Sequence, residues 1–144
     1  MPLVRISLLE GRPAAYRRAI ADSVHRAIVE TADVPALDWV QVIAEHTPES
    51  LIYDPTYLGI GRTDGVVFVQ ITLNASRSTE EKRALCGRVL ELLARNVDVR
   101  PQNVLISLVE VPCGNRSFDN GEAQPASQLR NRGNSPSTNS CGGL

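Results

Sequence analysis

The stretch PLVRISLLEGR at residues 2–12 is matched 65 positions later by VFVQITLNASR at residues 67–77. In both stretches apolar and polar side chains alternate before an arginine, as in a half-buried strand that ends in a turn. The match continues without a gap, so that residues 2–48 align with residues 67–113, with ten identities in 47 pairs. Self-similarity at a fixed spacing indicates a repeated structural unit. The chain is therefore predicted to contain two copies of one small unit.

A helix follows the first strand in each copy, because apolar side chains recur there at helical spacing on one face. These side chains are Tyr16, Ile20, Val24 and Ile28 in the first copy, and Leu85, Val89 and either Leu92 or Leu93 in the second. In the second copy Ser78 and Glu81 also have the spacing of a capping box. The strands are predicted at 3–9 and 39–45 in the first copy, and at 66–73 and 103–110 in the second.

The order strand, helix, strand in each copy predicts an α/β (α+β) fold. Within one unit the connection should be right-handed and the two strands parallel. Two units joined edge to edge give a tandem β-α-β repeat with a four-stranded mixed sheet and two helices on one face. A ferredoxin-like arrangement has the same linear order with interleaved strands, and the pattern leaves that alternative open.

The sheet face away from the helices is predicted to be too apolar to remain in water, and other subunits are expected to cover it. Its residues are predicted to be Leu3, Arg5, Ser7, Gln41, Ile43, Phe68, Gln70, Thr72, Leu105, Ser107 and Val109. The connector at 47–64 is long for a compact domain, which favours two separate units and a short hairpin of its own. Residues 125–144 are poor in apolar side chains and are predicted to be disordered, which leaves residues 1–124 as the folded domain.

The composition excludes several classes of protein. The 144 residues include 15 Lys and Arg against 16 Asp and Glu, a net charge of −1, so a strongly basic nucleic-acid binder is not expected. No apolar run has the length of a transmembrane helix or of the core of a signal peptide. Cys86, Cys113 and Cys141 match neither a zinc ribbon nor a redox pair, and no metal site is predicted on His25 and His46. A cytoplasmic protein with free thiols is the expectation.

These features resemble the tautomerase superfamily of 4-oxalocrotonate tautomerase and macrophage migration inhibitory factor. The resemblance rests on Pro2 directly after Met1, on the doubled β-α-β unit, and on short motifs spread over residues 2 to about 124. The motifs are EGR at 10–12, PALD at 35–38, LGIGR at 58–62, RSTEEK at 77–82 and SFDNG at 117–121. They resemble in particular the long-chain members around malonate semialdehyde decarboxylase. The resemblance implies the tautomerase fold and a small carboxylic acid as substrate.

Pro2 is the candidate acid or base. Once Met1 is removed, Pro2 is a rigid secondary amine at the start of a strand, and ordinary terminal amines titrate at roughly pH 7.7 to 8.0. The neutral amine can take a proton from a carbon beside a carbonyl, and the protonated amine can polarise the carbonyl. The alternative is that the proline only begins the strand, where its missing amide hydrogen costs nothing.

Arg77 and Asp38 are the other candidate catalytic residues. The resemblance places the family's carboxylate-binding arginine at Arg77, beside a helix N-terminus, where a guanidinium can pair with a substrate carboxylate. It places at Asp38 the aspartate that acts with the proline, where a carboxylate favours the ammonium form and raises the pKa of the amine. Alternatively, Arg77 is a solvated arginine paired with Glu80 or Glu81, and Asp38 is a turn residue. Arg12 is the internal counterpart of Arg77, expected at the same end of the sheet and assigned a structural role.

The chain departs from the long-chain members near the predicted site. Their tryptophan before a Ser-Phe-Gly motif becomes Arg116, the glycine becomes Asp119, and a second arginine becomes Ala75. The apolar C-terminal segment that helps to close the site in relatives is also missing. Phe118 is kept as part of an apolar wall. These changes disfavour decarboxylation, which needs a dry pocket, and make Arg116 a candidate for binding a second carboxylate.

Together these features predict a homotrimeric enzyme that acts on small 2-oxo or enol carboxylic acids without a cofactor. Keto-enol tautomerisation is the expected reaction, with phenylpyruvate or 2-hydroxymuconate as first substrates and malonate semialdehyde decarboxylation as a related second activity. The predicted catalytic residues are Pro2, Asp38 and Arg77, and the predicted substrate-binding residues are Arg77, Arg116 and Phe118. No metal, nucleic acid or membrane is expected to bind. The alternative class is a non-catalytic oligomeric binding module with a tautomerase or ferredoxin-like fold.

Overall fold

The computed structural model describes residues 1–123, in which two helices pack on one face of a four-stranded sheet. The elements in chain order are β1 (Leu3–Leu9), α1 (Ala14–Thr31), β2 (Val40–His46), β3 (Val67–Asn74), α2 (Thr79–Val97), β4 (Val104–Val111), β5 (Ser117–Asp119) and β6 (Glu122–Ala123). The four strands of the repeat agree with their predicted bounds to within one residue. No helix in this part of the chain is long and apolar enough to span a membrane.

The strand order is β2-β1-β3-β4, which confirms the tandem β-α-β repeat. β1 pairs with β2 and β3 pairs with β4 in parallel, whereas the two units meet through an antiparallel pairing of β1 with β3. Each helix thus connects two neighbouring parallel strands, as the repeat predicts. The ferredoxin-like alternative is excluded, because its strands would be interleaved.

The core lies between the sheet and the helices and is built from aliphatic side chains. Alternate residues of β1 and β3 and most of the predicted helical stripes are buried, namely Val4, Ile6, Leu8, Ile20, Val24, Ile28, Val67, Val69, Ile71, Leu73, Leu85, Val89 and Leu92. Tyr16 is only partly buried at the edge of this core. The predicted capping box begins α2: the Glu81 amide donates to Ser78 Oγ (3.1 Å), and the Ser78 amide donates to a Glu81 carboxylate oxygen (2.6 Å). A cap of this kind typically adds about 1 kcal/mol of stability.

The other face of the sheet is partly exposed in the single chain, and β2 contributes different residues to it than predicted. In the parallel register Gln41 and Ile43 lie beside core residues of β1, so both face the helices. Gln41 Nε2 accordingly donates to the Ala21 carbonyl in α1 (2.9 Å). The open face instead carries Val40 and Val42, which are 39% and 45% exposed. The prediction was wrong for this strand because a shift of one residue moves every side chain to the opposite face.

The connector and the thiols also differ from expectation. Residues 47–66 contain a 3-10 turn at Tyr57–Gly59 in place of the predicted hairpin, and the chain forms a hairpin later, from β5 and β6. Cys86 is a free, partly buried thiol on α2, whereas Cys113 is disulfide-bonded, so the expectation of free thiols is wrong for Cys113. The predicted disordered tail at 125–144 and the domain boundary at residue 124 lie outside the described residues.

Glu30 joins the two helices electrostatically. Arg88 Nε of α2 lies 2.6 Å from one carboxylate oxygen of Glu30, and Arg26 Nε of α1 lies 2.7 Å from the other. These hydrogen bonds lower the pKa of Glu30 from an ordinary 4.5 to about 2. A carboxylate whose pKa is depressed by folding adds stability above its unfolded pKa and loses that contribution as the pH falls through the folded pKa.

We therefore expect Glu30→Gln to lower the melting temperature at neutral pH. The difference from the wild type should shrink between pH 4.5 and about pH 2, where wild-type Glu30 becomes protonated. Asp22→Asn is the matched control, because it removes one exposed ion pair with Arg18 on α1 and should cause a smaller change. Thermal unfolding followed by circular dichroism measures both variants. A Glu30→Gln difference that stays constant from neutral pH to pH 2 would contradict the prediction.

Candidate active site

One edge of the sheet gathers the predicted catalytic residues. β1 and β3 are antiparallel, so the first residues of the chain lie beside the last residues of β3. β1 and β2 are parallel, so the turn that precedes β2 reaches the same edge. Pro2, Asp38 and the loop with Arg77 are thereby brought to one edge from distant positions in the sequence.

The chain terminus and Asp38 form an ion pair at this edge. The amino group of Met1 lies 3.2 Å from Asp38 Oδ2, and Pro2 beside it is buried. The turn that carries Asp38 is fixed to α1, because His25 Nε2 lies 2.8 Å from the Ala36 carbonyl oxygen. A terminal amine therefore lies next to a carboxylate, and removal of Met1 would make the Pro2 nitrogen that terminal amine.

Arg77 is partly buried after the end of β3, and its guanidinium is bonded to the backbone. Nη1 donates to the Asn74 carbonyl (3.2 Å), and Nη2 donates to the Ala32 carbonyl at the end of α1 (2.8 Å). Burial lowers the pKa of Arg77, while the nearby negative charges of Glu81 and Glu110 oppose that effect. The guanidinium is thus held by carbonyl groups, and Glu81, a partner named in the alternative, also interacts with it electrostatically. These two bonds use two of its five N–H groups.

Arg116 reaches the same edge from the segment before β5. Its Nη1 donates to Asn74 Oδ1 (3.3 Å), and its Cζ lies 4.8 Å from the centroid of the Phe118 ring. Burial lowers the pKa of Arg116, and the negative charge of Asp38 opposes that effect. The edge thus combines the guanidinium groups of Arg77 and Arg116, the amino terminus, the Asp38 carboxylate and the Phe118 ring, and the guanidinium groups suit a small carboxylate ligand. Within residues 1–123 no three His, Cys, Asp or Glu side chains lie together as a metal ion would need.

Asn74 links the two guanidinium groups, and the sequence analysis missed it. Its carbonyl accepts a hydrogen bond from Arg77, and its side-chain oxygen accepts one from Arg116. A signal was present in the repeat, because Asn74 ends an alternating strand at the position where the first copy has Leu9. A polar residue that replaces an apolar one at the end of a repeated strand indicates a role outside the core.

Arg12 lies at the opposite edge of the sheet, which corrects the expectation that both arginines share an end. β1 and β3 run antiparallel, so equivalent ends of the two copies point in opposite directions. Arg12 Cζ lies 5.1 Å from the centroid of the Tyr16 ring. Asn103, the counterpart of Asp38, is buried and bonds both the amide and the hydroxyl of Thr63 (2.9 Å each). The opposite edge therefore has a structural amide where the candidate site has a carboxylate.

Comparison with known proteins gives the class of protein. A family model described as a tautomerase enzyme matches residues 38–119, and a second tautomerase enzyme model matches residues 2–60. The chain belongs to the tautomerase family. It is similar to two probable tautomerases of Bacillus subtilis (strain 168). It is 35% identical to YusQ over 124 residues, which cover 86% of this chain and 98% of YusQ, and 34% identical to YrdN, with 86% and 95% covered.

Solved structures share this fold. The FG41 malonate semialdehyde decarboxylase inhibited by 3-bromopropiolate has a TM-score of 0.81 at 35% identity, covering 88% of this chain and 96% of its own. Another malonate semialdehyde decarboxylase has a TM-score of 0.78 at 31% identity, with 84% and 93% covered. A fused 4-OT that forms a symmetric trimer has a TM-score of 0.70 at 19% identity, with 84% and 94% covered, which shows likeness of fold alone. The tandem β-α-β sheet is therefore the fold of the tautomerase family.

Proposed function

We propose that this chain is an isomerase that interconverts the keto and enol forms of small 2-oxo carboxylic acids, with the Pro2 nitrogen as acid and base. The observation that carries the proposal is the ion pair of the Met1 amino group with Asp38 Oδ2 (3.2 Å), directly beside Pro2, at the edge of the sheet that also holds Arg77 and Arg116. Once Met1 is removed, the Pro2 nitrogen becomes the terminal amine at this edge. An amine beside a carboxylate can hold and release a proton, and guanidinium groups can hold the carboxylate of the substrate.

Each group has one role in the proposed reaction. Arg77 binds the carboxylate of the substrate with N–H groups that the Asn74 and Ala32 carbonyls do not use. The neutral Pro2 amine takes the proton of the enol hydroxyl, and the resulting ammonium returns a proton to the carbon, so the amine is regenerated and the net change is an isomerisation. Asp38 stabilises the ammonium between these two steps, and Phe118 forms part of the apolar wall.

Decarboxylation of a 3-oxo acid such as malonate semialdehyde is the second candidate reaction. It is supported by the 35% identity with the FG41 malonate semialdehyde decarboxylase and by the Asp38 carboxylate beside the chain terminus, which would stabilise a Pro2 ammonium once Met1 is removed. In this reaction the Pro2 ammonium polarises the carbonyl while the bond to the carboxylate breaks and carbon dioxide leaves. The carbon of the resulting enolate takes a proton from the Pro2 ammonium, and a proton from solvent restores the ammonium. The Arg116 guanidinium lies against the Phe118 ring and makes this region polar, whereas decarboxylation needs a dry pocket, so this reaction is the secondary one.

A homotrimer completes the proposal. The open face of the sheet leaves apolar side chains partly exposed in the single chain, and among them are Val40, Val42 and Leu105. A related fold, the fused 4-OT, is described as a symmetric trimer. Covering the open face with two further copies would remove this surface from water.

The experiment that tests the proposal is turnover by the purified wild-type protein. We expect the intact mass to show that Met1 is absent, and we expect ultraviolet assays to show tautomerisation of phenylpyruvate or 2-hydroxymuconate at a kcat in the usual enzyme range, on the order of 1 to 1000 per second. Malonate semialdehyde is assayed in parallel for release of carbon dioxide. Retention of Met1 would contradict the proposed mechanism. Turnover of no 2-oxo, 3-oxo or enol acid would instead favour the non-catalytic binding module.

A further inference from the structure

We propose that His25 is a positioning residue for the reaction, because its bond to the turn before β2 holds the Asp38 carboxylate beside the terminal amine. His25 lies on α1 and acts on the reaction only through Asp38. The inference deepens the proposed function and rests on it for the effect on turnover. The placement of Asp38 itself can be measured without any turnover.

His25 contacts the chain on both sides of Asp38. Its Nε2 lies 2.8 Å from the Ala36 carbonyl oxygen, and its ring centroid lies 5.5 Å from that of the Trp39 ring. A carbonyl oxygen can only accept a hydrogen bond, so Nε2 carries the hydrogen of this bond. One side chain of α1 therefore fixes the residue two positions before Asp38 and the residue directly after it.

Few other contacts attach this turn to the rest of the described chain. Leu37 in the turn is 94% exposed, so burial of its apolar side chain does not anchor the turn. The next attachments along the chain are Val34, which packs against the core, and Val40, which pairs with β1 in the sheet. Loss of the bond from His25 should therefore let the turn shift relative to α1.

Trp39 has a second contact with α1. The Arg18 guanidinium lies 5.9 Å from the centroid of the Trp39 ring. Arg18 and His25 are two helical turns apart, so both side chains leave the same face of α1. This packing should keep Trp39 in place when the His25 ring is replaced by another flat ring. The effect of the hydrogen bond to Ala36 can then be tested separately.

The position of Asp38 affects the proposed reaction through the charge on the amine. The carboxylate stabilises the Pro2 ammonium that forms between the two proton transfers. Attraction between the two charges weakens as they separate, and a misplacement of about 1 Å can cost about 100-fold in rate. Arg77 is bonded to the carbonyls of Asn74 and Ala32, both outside the turn, so binding of the substrate carboxylate should change less.

Two replacements of His25 separate the hydrogen bond from the packing of the ring. His25→Phe keeps a flat ring against Trp39 and removes the donor, whereas His25→Gln keeps an N–H donor close to the position of Nε2. We expect His25→Phe to lower kcat for tautomerisation about 10-fold and to leave KM within about twofold of the wild type. His25→Gln should retain kcat to within about threefold. Steady-state kinetics with phenylpyruvate measures both constants.

Gln41→Met is the matched control. Gln41 Nε2 donates to the Ala21 carbonyl (2.9 Å), which is a bond of the same kind between β2 and the same helix, outside the turn. Methionine has a similar length and no donor. Gln41→Met and His25→Phe should both lower the midpoint of urea unfolding, and only His25→Phe should lower kcat. Circular dichroism shows whether each variant is folded.

Titration of the Pro2 nitrogen by ¹⁵N NMR reports the placement of Asp38 without turnover. A nearby carboxylate raises the pKa of an ammonium, so His25→Phe should lower the pKa of the Pro2 amine in the same direction as Asp38→Asn and by a smaller amount. The guanidinium of Arg116, which also interacts with Asp38, is unchanged in these variants. His25→Gln also lacks the titratable ring, and it should keep the pKa of Pro2 close to that of the wild type.

Each outcome has a defined meaning. Wild-type kcat or an unchanged Pro2 pKa in His25→Phe, equal impairment of His25→Gln and His25→Phe, or an equal loss of kcat in Gln41→Met would overturn the inference. The expected shifts of the Pro2 pKa in a protein that turns over no 2-oxo or enol acid would refute the proposed function, while the role of His25 in placing Asp38 stands. Turnover that no replacement of His25 changes would refute the inference and leave the proposed function in place.

Discussion

Replacement of Pro2 by alanine is expected to lower kcat for tautomerisation by about 100-fold or more, with a much smaller change in KM. Alanine keeps a terminal amine, but it loses the ring that makes the nitrogen secondary and fixes it at the start of β1. Arg77 and Arg116 remain in place to bind the substrate, so KM is the less affected constant. Steady-state kinetics with phenylpyruvate measures both constants, and intact mass verifies that Met1 is absent from both proteins.

Pro13→Ala is the matched control for Pro2→Ala. Pro13 is an exposed proline at the start of α1, at the opposite edge of the sheet from the candidate site. Its replacement should leave kcat and KM within about twofold of the wild type. If Pro2→Ala turned over substrate at the wild-type rate, the amine would not be the acid and base of the reaction.

Arg77→Ala is expected to impair both substrate binding and stability. KM for 2-oxo acids should rise about 10- to 100-fold, because a charge-assisted pair with the substrate carboxylate is lost. The free energy of unfolding should fall by about 1 to 3 kcal/mol, because the carbonyls of Asn74 and Ala32 lose their guanidinium donor. Kinetics and urea denaturation measure the two effects separately.

Arg12→Ala is the control that the repeat itself supplies. Arg12 has the equivalent position in the first copy, but it is exposed at the opposite edge of the sheet and contacts the Tyr16 ring. Its replacement should cost less than about 1 kcal/mol and leave KM unchanged. An equal rise of KM in both variants would contradict a specific role for Arg77 in binding the substrate.

The fold could be predicted because each copy of the repeat shows two patterns of apolar residues, the alternation typical of a strand and the spacing typical of a helix. Alternation identified the strands to within one residue, and helical spacing identified the buried stripes of α1 and α2. The register of β2 was not predictable in the same way. Its polar Gln41 faces the helices and bonds the Ala21 carbonyl, while Val40 and Val42 face outward. When both faces of a strand are only partly covered, the polarity of a side chain does not predict which face of the sheet it lies on.

The candidate site was predictable only in part. The resemblance named Pro2, Asp38 and Arg77, but the repeat alone put Arg12 at the same end as Arg77. Only the antiparallel pairing of β1 with β3 separates them, and that pairing depends on which edges of the two units join. The role of Asn74 was missed because it rests partly on a backbone carbonyl, and the identity of a side chain does not report where its own carbonyl points.

The proposed role of the Pro2 nitrogen is tested most directly by blocking that nitrogen alone. Two preparations of the chain are compared, one without Met1 and one with a short Gly-Ser extension before Pro2. The extension converts the amine into an amide, which cannot accept or release the catalytic proton, while every side chain of the site is kept. Intact mass verifies each terminus, and steady-state turnover of phenylpyruvate is measured for both. We expect the extended protein to lose about 100-fold or more in kcat, whereas equal kcat in the two preparations would contradict catalysis by Pro2.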